Sequence, residues 1–410
     1  MPSIPIDRKE KQSEGKYVTR PLSHYIKFPE TLLIPPDGPN SGYLVLQDEE
    51  SQAYSCFGLC KDGYLADLPF PHNKDLTLRY STNAGEREYV SKDDVYFIPV
   101  LNQPLSSNRY YAIKPHGNRK GEAYTCSKEE DLAICCFCPC VRDVKSRPLE
   151  PHDPHQQFEI ALYETCCTTN SKFYAKSVAP DGFPPYSLRR KGWQIYGKTP
   201  KNYELGEASG LKAALRARLP EFNLPLSYKS SEGVVVGKWY CPFIFIKDGP
   251  LRDQMKRSMF YEMTLEQRWE QIFTCENNSS EGKMVFVDVV VQTETASVAG
   301  QETVWNEREV VDGAIWFRSF GNVGGGGGVS VGLRVEIVQR MKWEQERAGW
   351  LGGEDRQARV KRVEEFGGVG DWRKFGCNVL AEMFVLKRMD GSLVMTYDFK
   401  HTHQIKNKWE

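Results

Sequence analysis

The clearest hydrophobic pattern lies near the C-terminus. Two runs of alternating apolar and polar residues flank Asp390-Gly391, a pair suited to a type I′ hairpin turn. That turn sets Leu386 opposite Met395, Phe384 opposite Tyr397 and Leu380 opposite His401. One face of the hairpin is then apolar, while the other carries Thr396, Asp398 and Lys400. Upstream, Met255, Met259 and Met263 recur at intervals of four, and Leu265, Trp269, Ile272 and Phe273 continue the stripe. This spacing predicts a long helix over residues 254–274. Residues 234–247 read as a strand, or two with a kink at Pro242, and residues 283–298 as a β-branched strand. Between 333 and 343, Leu333, Val335, Ile337, Met341 and Trp343 alternate with charges; a strand is favoured and a helix competes. Within 291–298 the alternation is rich in Ser and Thr, as in amphipathic membrane hairpins, but an ordinary sheet strand explains it.

The first half reads as short strands at 41–47, 76–80, 94–100, 109–114, 157–163 and 192–196, separated by turn signals such as Pro36-Asp37-Gly38. A helix is predicted over 204–219, where Leu205, Ala208, Leu211, Leu215 and Leu219 share a face before Pro220. The pattern as a whole predicts an α+β, β-rich fold. It comprises a short-stranded, Pro-rich N-terminal domain and a C-terminal antiparallel sheet packed on a long helix.

Composition sharpens the division. All 24 prolines lie at or before Pro250, and all nine tryptophans at or after Trp193. Nine of the 12 cysteines lie at or before Cys167. Proline interrupts ladders and helices, so the Pro-free stretch can hold long regular elements. The expected organisation is a polar tail over 1–18, a β-rich Cys/Pro-rich domain over 19–228, and an α+β domain over 229–410. Gly324–Gly328 is read as part of a flexible surface loop over 321–328, because no Lys-Ser or Lys-Thr follows it to complete a phosphate loop.

Charge and hydropathy narrow the function classes. Lys+Arg and Asp+Glu are both 54, giving a formal net charge of zero. There is no chain-wide basic field of the kind that tracks nucleic-acid backbones, so a protein partner is favoured over nucleic acid. The longest apolar runs fall far short of the roughly 18 residues a transmembrane helix requires. The opening residues lack an apolar signal core, and most of the 12 cysteines in a long chain without one are expected to be reduced. Cytoplasm is the expected compartment, with the nucleus and peripheral membrane attachment as alternatives. Asn277-Asn278-Ser279-Ser280 is then a turn rather than a glycosylation site.

Three groups of residues invite chemistry. Cys135, Cys136, Cys138 and Cys140 crowd four thiols into six residues among apolar neighbours. They could ligate zinc, with Cys56 and Cys60 or Cys166 and Cys167 as a second pair. They could instead carry acyl chains that anchor the chain to a membrane. They could also be small apolar residues of a buried strand and its turn. His401 and His403, two apart on a strand, could share a metal but lack a third ligand. His152 and His155 sit in a Pro-broken loop. Arg189-Arg190-Lys191 beside Trp193 is a basic knot that could meet phosphate or an acidic partner. No complete catalytic motif is present, and no catalytic residue is assigned.

Several strings resemble one plant family. They are Tyr-Val-Thr-Arg-Pro-Leu-Ser at 17–23, Gly-Pro-Asn-Ser-Gly-Tyr-Leu-Val at 38–45, and Phe-Ile-Pro-Val-Leu-Asn-Gln-Pro-Leu-Ser-Ser-Asn-Arg-Tyr-Tyr at 97–111. Lys-Gly-Glu-Ala-Tyr-Thr-Cys-Ser-Lys-Glu-Glu-Asp at 120–131, Ser-Val-Ala-Pro-Asp-Gly-Phe-Pro-Pro at 177–185 and Tyr-Asp-Phe-Lys-His-Thr-His-Gln-Ile at 397–405 also fit. The chain resembles the plant proteins grouped as domain of unknown function 1262. The resemblance implies a plant source and an association with stress and defence responses. It supplies no catalytic residue, cofactor or substrate. The sequence thus favours a non-catalytic binding or scaffold module over a membrane-associating protein, and either over an enzyme with an unrecognised site.

Overall fold

The computed structural model describes residues 16–55, 60–61, 63–84, 87–135, 138–163, 171–277, 282–319, 328–350, 352 and 356–410. These residues fall into two compact units that do not follow the sequence as consecutive blocks. One comprises residues 209–239 and 261–410, the other residues 16–208 and 240–260. The pentaglycine run, apart from Gly328, lies outside the described residues, as does most of the sequence read as a tail.

The second of these units holds the predicted short strands. Its sheet runs in the order Phe173–Ser177, Gln157–Leu162, Arg109–Ile113, Arg87–Pro99, Asp75–Ala84, Gln194–Lys198, all antiparallel. One face buries Phe70, Phe97, Tyr110, Phe158, Phe173 and Trp193. The ring pairs among them, such as Phe70 with Phe173 at 5.2 Å, fall in the range where edge and tilted contacts are favourable. The buried Trp193 ring is satisfied at its polar edge, where Nε1 donates to Leu188 O at 2.9 Å. Tyr17–Pro21 runs parallel to Gly42–Leu46, and Tyr17 and Val18 are buried. Position 42 must be glycine, because a Cβ there would sit 2.4 Å from the Tyr17 ring.

The first unit is an antiparallel sheet. Its strands follow the order Ser330–Arg334, Ala314–Ser319, Gln301–Val304, Glu294–Val298, Leu393–Trp409, Lys374–Arg388, Phe260–Glu276, with Val234–Pro242 beyond. The three pairings expected of the terminal hairpin are present: Leu386 with Met395, Phe384 with Tyr397, Leu380 with His401. The turn itself differs. Arg388 N donates to Ser392 O and Gly391 N to Arg388 O, and only Gly391 of the loop has positive φ, at 82°. The loop is one residue longer than a type I′ turn, and Val394 bulges out to restore the register.

The expected fold class is corrected here. The chain is mainly β, and no long helix underlies the sheet among the described residues. Where a helix was predicted over 254–274, a seven-residue helix, Leu251–Arg257, gives way to the 17-residue strand Phe260–Glu276. Tyr261, Met263, Leu265, Gln267 and Trp269 are all buried, a period of two along this strand. The four-residue spacing of the methionines was coincidental, and the polar Gln267 masked the alternation. The opposite substitution occurs at 333–343: the strand Ser330–Arg334 ends and a helix, Val335–Arg347, begins. Its buried face includes Glu336, Arg340 and Glu344, so charges stand where an apolar stripe would have revealed it. The predicted helix over 204–219 shrinks to Ala213–Arg218.

Candidate functional site

The residues that disguised those elements meet in one place. Gln267 and Glu382 lie directly opposite each other on neighbouring strands, and His401 is paired with Leu380 on the next. All three point to the same face of the sheet, where alternation calls for apolar side chains. The short helix Ala213–Arg218 brings Arg216 onto them, and the helix Val335–Arg347 contributes Arg340 and Glu344.

Glu382 is fully buried and its four lone-pair positions are filled. Arg216 clasps it in a fork: Nε donates to Oε1 at 2.7 Å and Nη2 to Oε2. Gln267 Nε2 donates to Oε1 at 2.8 Å, and His401 Nε2 lies 3.0 Å from Oε2. Burial alone would raise the carboxyl's pKa. The bonds and charges of Arg216 and His401 outweigh burial and pull it down from 4.5 to about 2. Arg216 also reaches Glu344, Nη1 to Oε2 at 3.3 Å, and Arg340 Nη2 donates to Glu344 Oε1 at 2.6 Å. Arg216 and Arg340 thus stand against two carboxylates, Glu344 and Glu382. A buried network like this is costly to break and specifies one arrangement of the strands and helices that meet at it.

Among the described residues, His401 Nδ1 and Gln267 Oε1 are left without hydrogen-bond partners. Both residues line a cleft of about 350 Å³ with Arg216 and Glu382, whose walls include the apolar Leu211, Ala217, Leu219 and Leu380 and the polar Arg347 and Gln404. Leu219 and Gln267 also line a neighbouring cleft of about 620 Å³, formed around the loop from 219 to 234. The backbone of Leu219 stands at φ 59°, ψ 154°, a region close to one that only glycine enters freely. The loop beyond it is tied down where Trp269 Nε1 donates to Pro220 O at 3.0 Å and Phe222 meets the Trp269 ring at 5.5 Å.

The opposite face of the same strands carries a second charged network. Arg268 pairs with Asp398 and Lys400 with Glu270. Burial nonetheless raises the Asp398 pKa despite its arginine.

The residues singled out in the sequence are distributed otherwise. Leu132–Cys135 and Cys138–Val141 form a two-stranded hairpin that sets Cys135 opposite Cys138 and Ala133 opposite Cys140. Cys140 is half-buried and unpaired. Cys56, Cys136, Cys166 and Cys167 lie outside the described residues. Cys60 is placed in a strand opposite Ser55. Among the described residues no group of three or more His, Cys, Asp or Glu could hold a metal ion. His401 is buried and His403 exposed, with ring centroids 5.6 Å apart at 82°. Burial and the His401 ring lower the His403 pKa. His155 is occupied on both nitrogens, by Asp153 at 3.3 Å and Asp181 at 3.0 Å. The sequence reading named His401 but not Arg216, Gln267, Glu344 or Glu382. The signal that would have found them is a polar residue at an apolar position of an alternating run.

Residues 37–137 match the family described as "Protein of unknown function (DUF1262)". No curated protein matches the chain. Among solved structures, the crystal structure of Cry35Ab1 is similar over 83% of this chain and 90% of that chain, with a TM-score of 0.41 and 11% sequence identity. So distant a likeness transfers nothing about function. No helix among the described residues is long and apolar enough to cross a membrane.

Proposed function

We propose that this chain is a non-catalytic binding protein whose cleft over Arg216, Glu382, His401 and Gln267 receives a small molecule. One observation carries the reading. A carboxylate is buried and saturated so that it fixes two neighbouring side chains, yet each of these keeps one polar atom unmatched beside a cleft. Cores rarely leave such atoms unpaired, and where they do a bound group often completes them. The resemblance to plant proteins of domain of unknown function 1262 extends the proposal to a binding step in stress or defence responses, in the cytoplasm.

The test is a screen of small neutral and charged fragments by saturation-transfer NMR on the full chain, repeated with Ala217→Phe. Ala217 is exposed and lines the cleft, so a phenyl ring there fills it without touching the buried cluster. Hits that vanish in the variant support the proposal. A set of hits indifferent to the substitution, or none at all, would refute it.

A further inference from the structure

Met284–Gln292 and Gln357–Glu365 pair as an antiparallel ribbon that no third strand extends among the described residues. Just beyond its two ends, Phe366 N donates to Lys283 O and Thr293 N to Arg356 O. Hydrogen-bonded and open pairs alternate along an antiparallel ladder, so the even-numbered residues of Gln357–Glu365 are the ones bonded inward. The N–H and C=O groups of Arg359, Lys361, Val363 and Glu365 therefore point out along a bare edge, and all four residues are exposed. Such an edge is a template for another strand, and proteins commonly blunt one with charges that repel a copy. Here the charges do the reverse. The run Lys361-Arg362-Val363-Glu364-Glu365 changes sign about Val363. Laid antiparallel on itself with Val363 facing the partner's Val363, it sets Lys361 on the partner's Glu365 and Arg362 on the partner's Glu364. Moving the centre by one residue would set Arg362 or Glu364 on its own equivalent, and an in-register parallel pairing would oppose like charges throughout. The register that matches the charges also suits the backbone, because Lys361, Val363 and Glu365 all direct their hydrogen-bonding groups outward.

We infer that a second copy of this chain docks on the edge Gln357–Glu365, the two strands pairing antiparallel about a two-fold axis at Val363. A contact of this symmetry is closed, so it yields a dimer and not a filament. The two ribbons join into one four-stranded sheet. Phe286 stands directly opposite Val363, so one row across that sheet reads Phe286, Val363, the partner's Val363 and the partner's Phe286. In the single chain Phe286 is 67% exposed and Val363 59%. At a strand spacing of about 4.8 Å the two valines meet and cover each other. Asp288 is already held by Arg359 through hydrogen bonds of 2.6 and 2.8 Å, whereas Lys361 and Glu365 form no ion pair among the described residues. Arg362 donates to Glu364 at 2.7 Å, and the dimer turns this pair and its equivalent into a square of alternating charge. The other edge of the ribbon, Met284–Gln292, carries Asp288 as its one charge and has no such self-complementary run.

The experiment is sedimentation velocity of the full chain across about 1–100 µM, where the natural chain should pass from monomer to dimer. Lys361→Glu sets glutamate against the partner's Glu365, and Glu365→Lys sets lysine against the partner's Lys361. Each variant alone should therefore dimerise at least about tenfold more weakly than the natural chain. Mixed in equal amounts, the two variants restore both opposed pairs and should form a heterodimer about as tightly as the natural chain dimerises. Both substitutions fall on exposed positions, and recovery on mixing shows that both variants are folded. A natural chain that stays monomeric throughout the range overturns the inference. So does a dimer indifferent to either substitution, or a mixture that associates no better than its separate components.

Discussion

Glu382→Gln changes one atom and removes one charge, and its cost can be worked from the surroundings of that carboxylate. The folded carboxyl is held at about 2 against an ordinary 4.5. At about 1.4 kcal/mol per pH unit, the ionised form contributes on the order of 3 kcal/mol to stability. A depressed pKa means that this contribution is present above about 4.5 and is lost as pH falls towards about 2. The variant lacks it at every pH and also leaves Arg216 buried against a neutral amide, so at neutral pH it should be about 3–5 kcal/mol less stable than the natural chain. Between about pH 6 and about pH 3 the gap should close by about 2 kcal/mol, because the unfolded carboxyl takes up a proton in that range while the folded one does not. Urea unfolding followed by tryptophan fluorescence reads both quantities, since Trp269 is buried next to the cluster on the same strand. A gap below about 1 kcal/mol at neutral pH, or one that does not change with pH, would mean that Glu382 is not the ionised centre of the network.

Three further outcomes follow from the same geometry. Leu219→Gly should be about 1 kcal/mol more stable than Leu219→Ala in the same urea assay, because both lose the side chain but only glycine relieves the backbone at φ 59°; alanine being the more stable would refute the strain. Phe384→Ala and Leu386→Ala should each cost about 2–5 kcal/mol, as buried large-to-small changes do. Thr396→Ala should cost about 1 kcal/mol, since it loses only the 2.8 Å hydroxyl contact with Ser297, and equal losses for all three would contradict the assigned faces. Arg216→Met should cost about 3–5 kcal/mol alone, yet add much less on top of Glu382→Gln, so strictly additive losses in a double-mutant cycle would dissolve the pair.

The first-half strands were legible because turn residues bracket short β-branched runs. The terminal hairpin was legible because Leu380, Phe384 and Leu386 alternate cleanly on both sides of a glycine turn. Its register survived a misassigned turn because the longer loop and the bulge at Val394 cancel. What sequence reading missed has one physical cause. Hydrophobic periodicity assumes that buried faces are apolar, and here Gln267 interrupts one strand, Glu382 a second, and Glu336, Arg340 and Glu344 a helix. Those at Gln267 and in the helix disguised their elements, whereas the strand of Glu382 stayed legible, and most belong to the buried cluster. The clasp between Arg216 and Glu382 spans 166 residues, and no local pattern encodes a contact of that range.

The most direct test of the site is the nitrogen chemistry of His401, read by two-bond proton–nitrogen correlation on the full chain. The chain has seven histidines, so the resonance can be assigned by a single His401 substitution. The account predicts hydrogen on Nε2, directed at the Glu382 carboxylate oxygen 3.0 Å away. Hydrogen on Nδ1 with Nε2 left bare would contradict it.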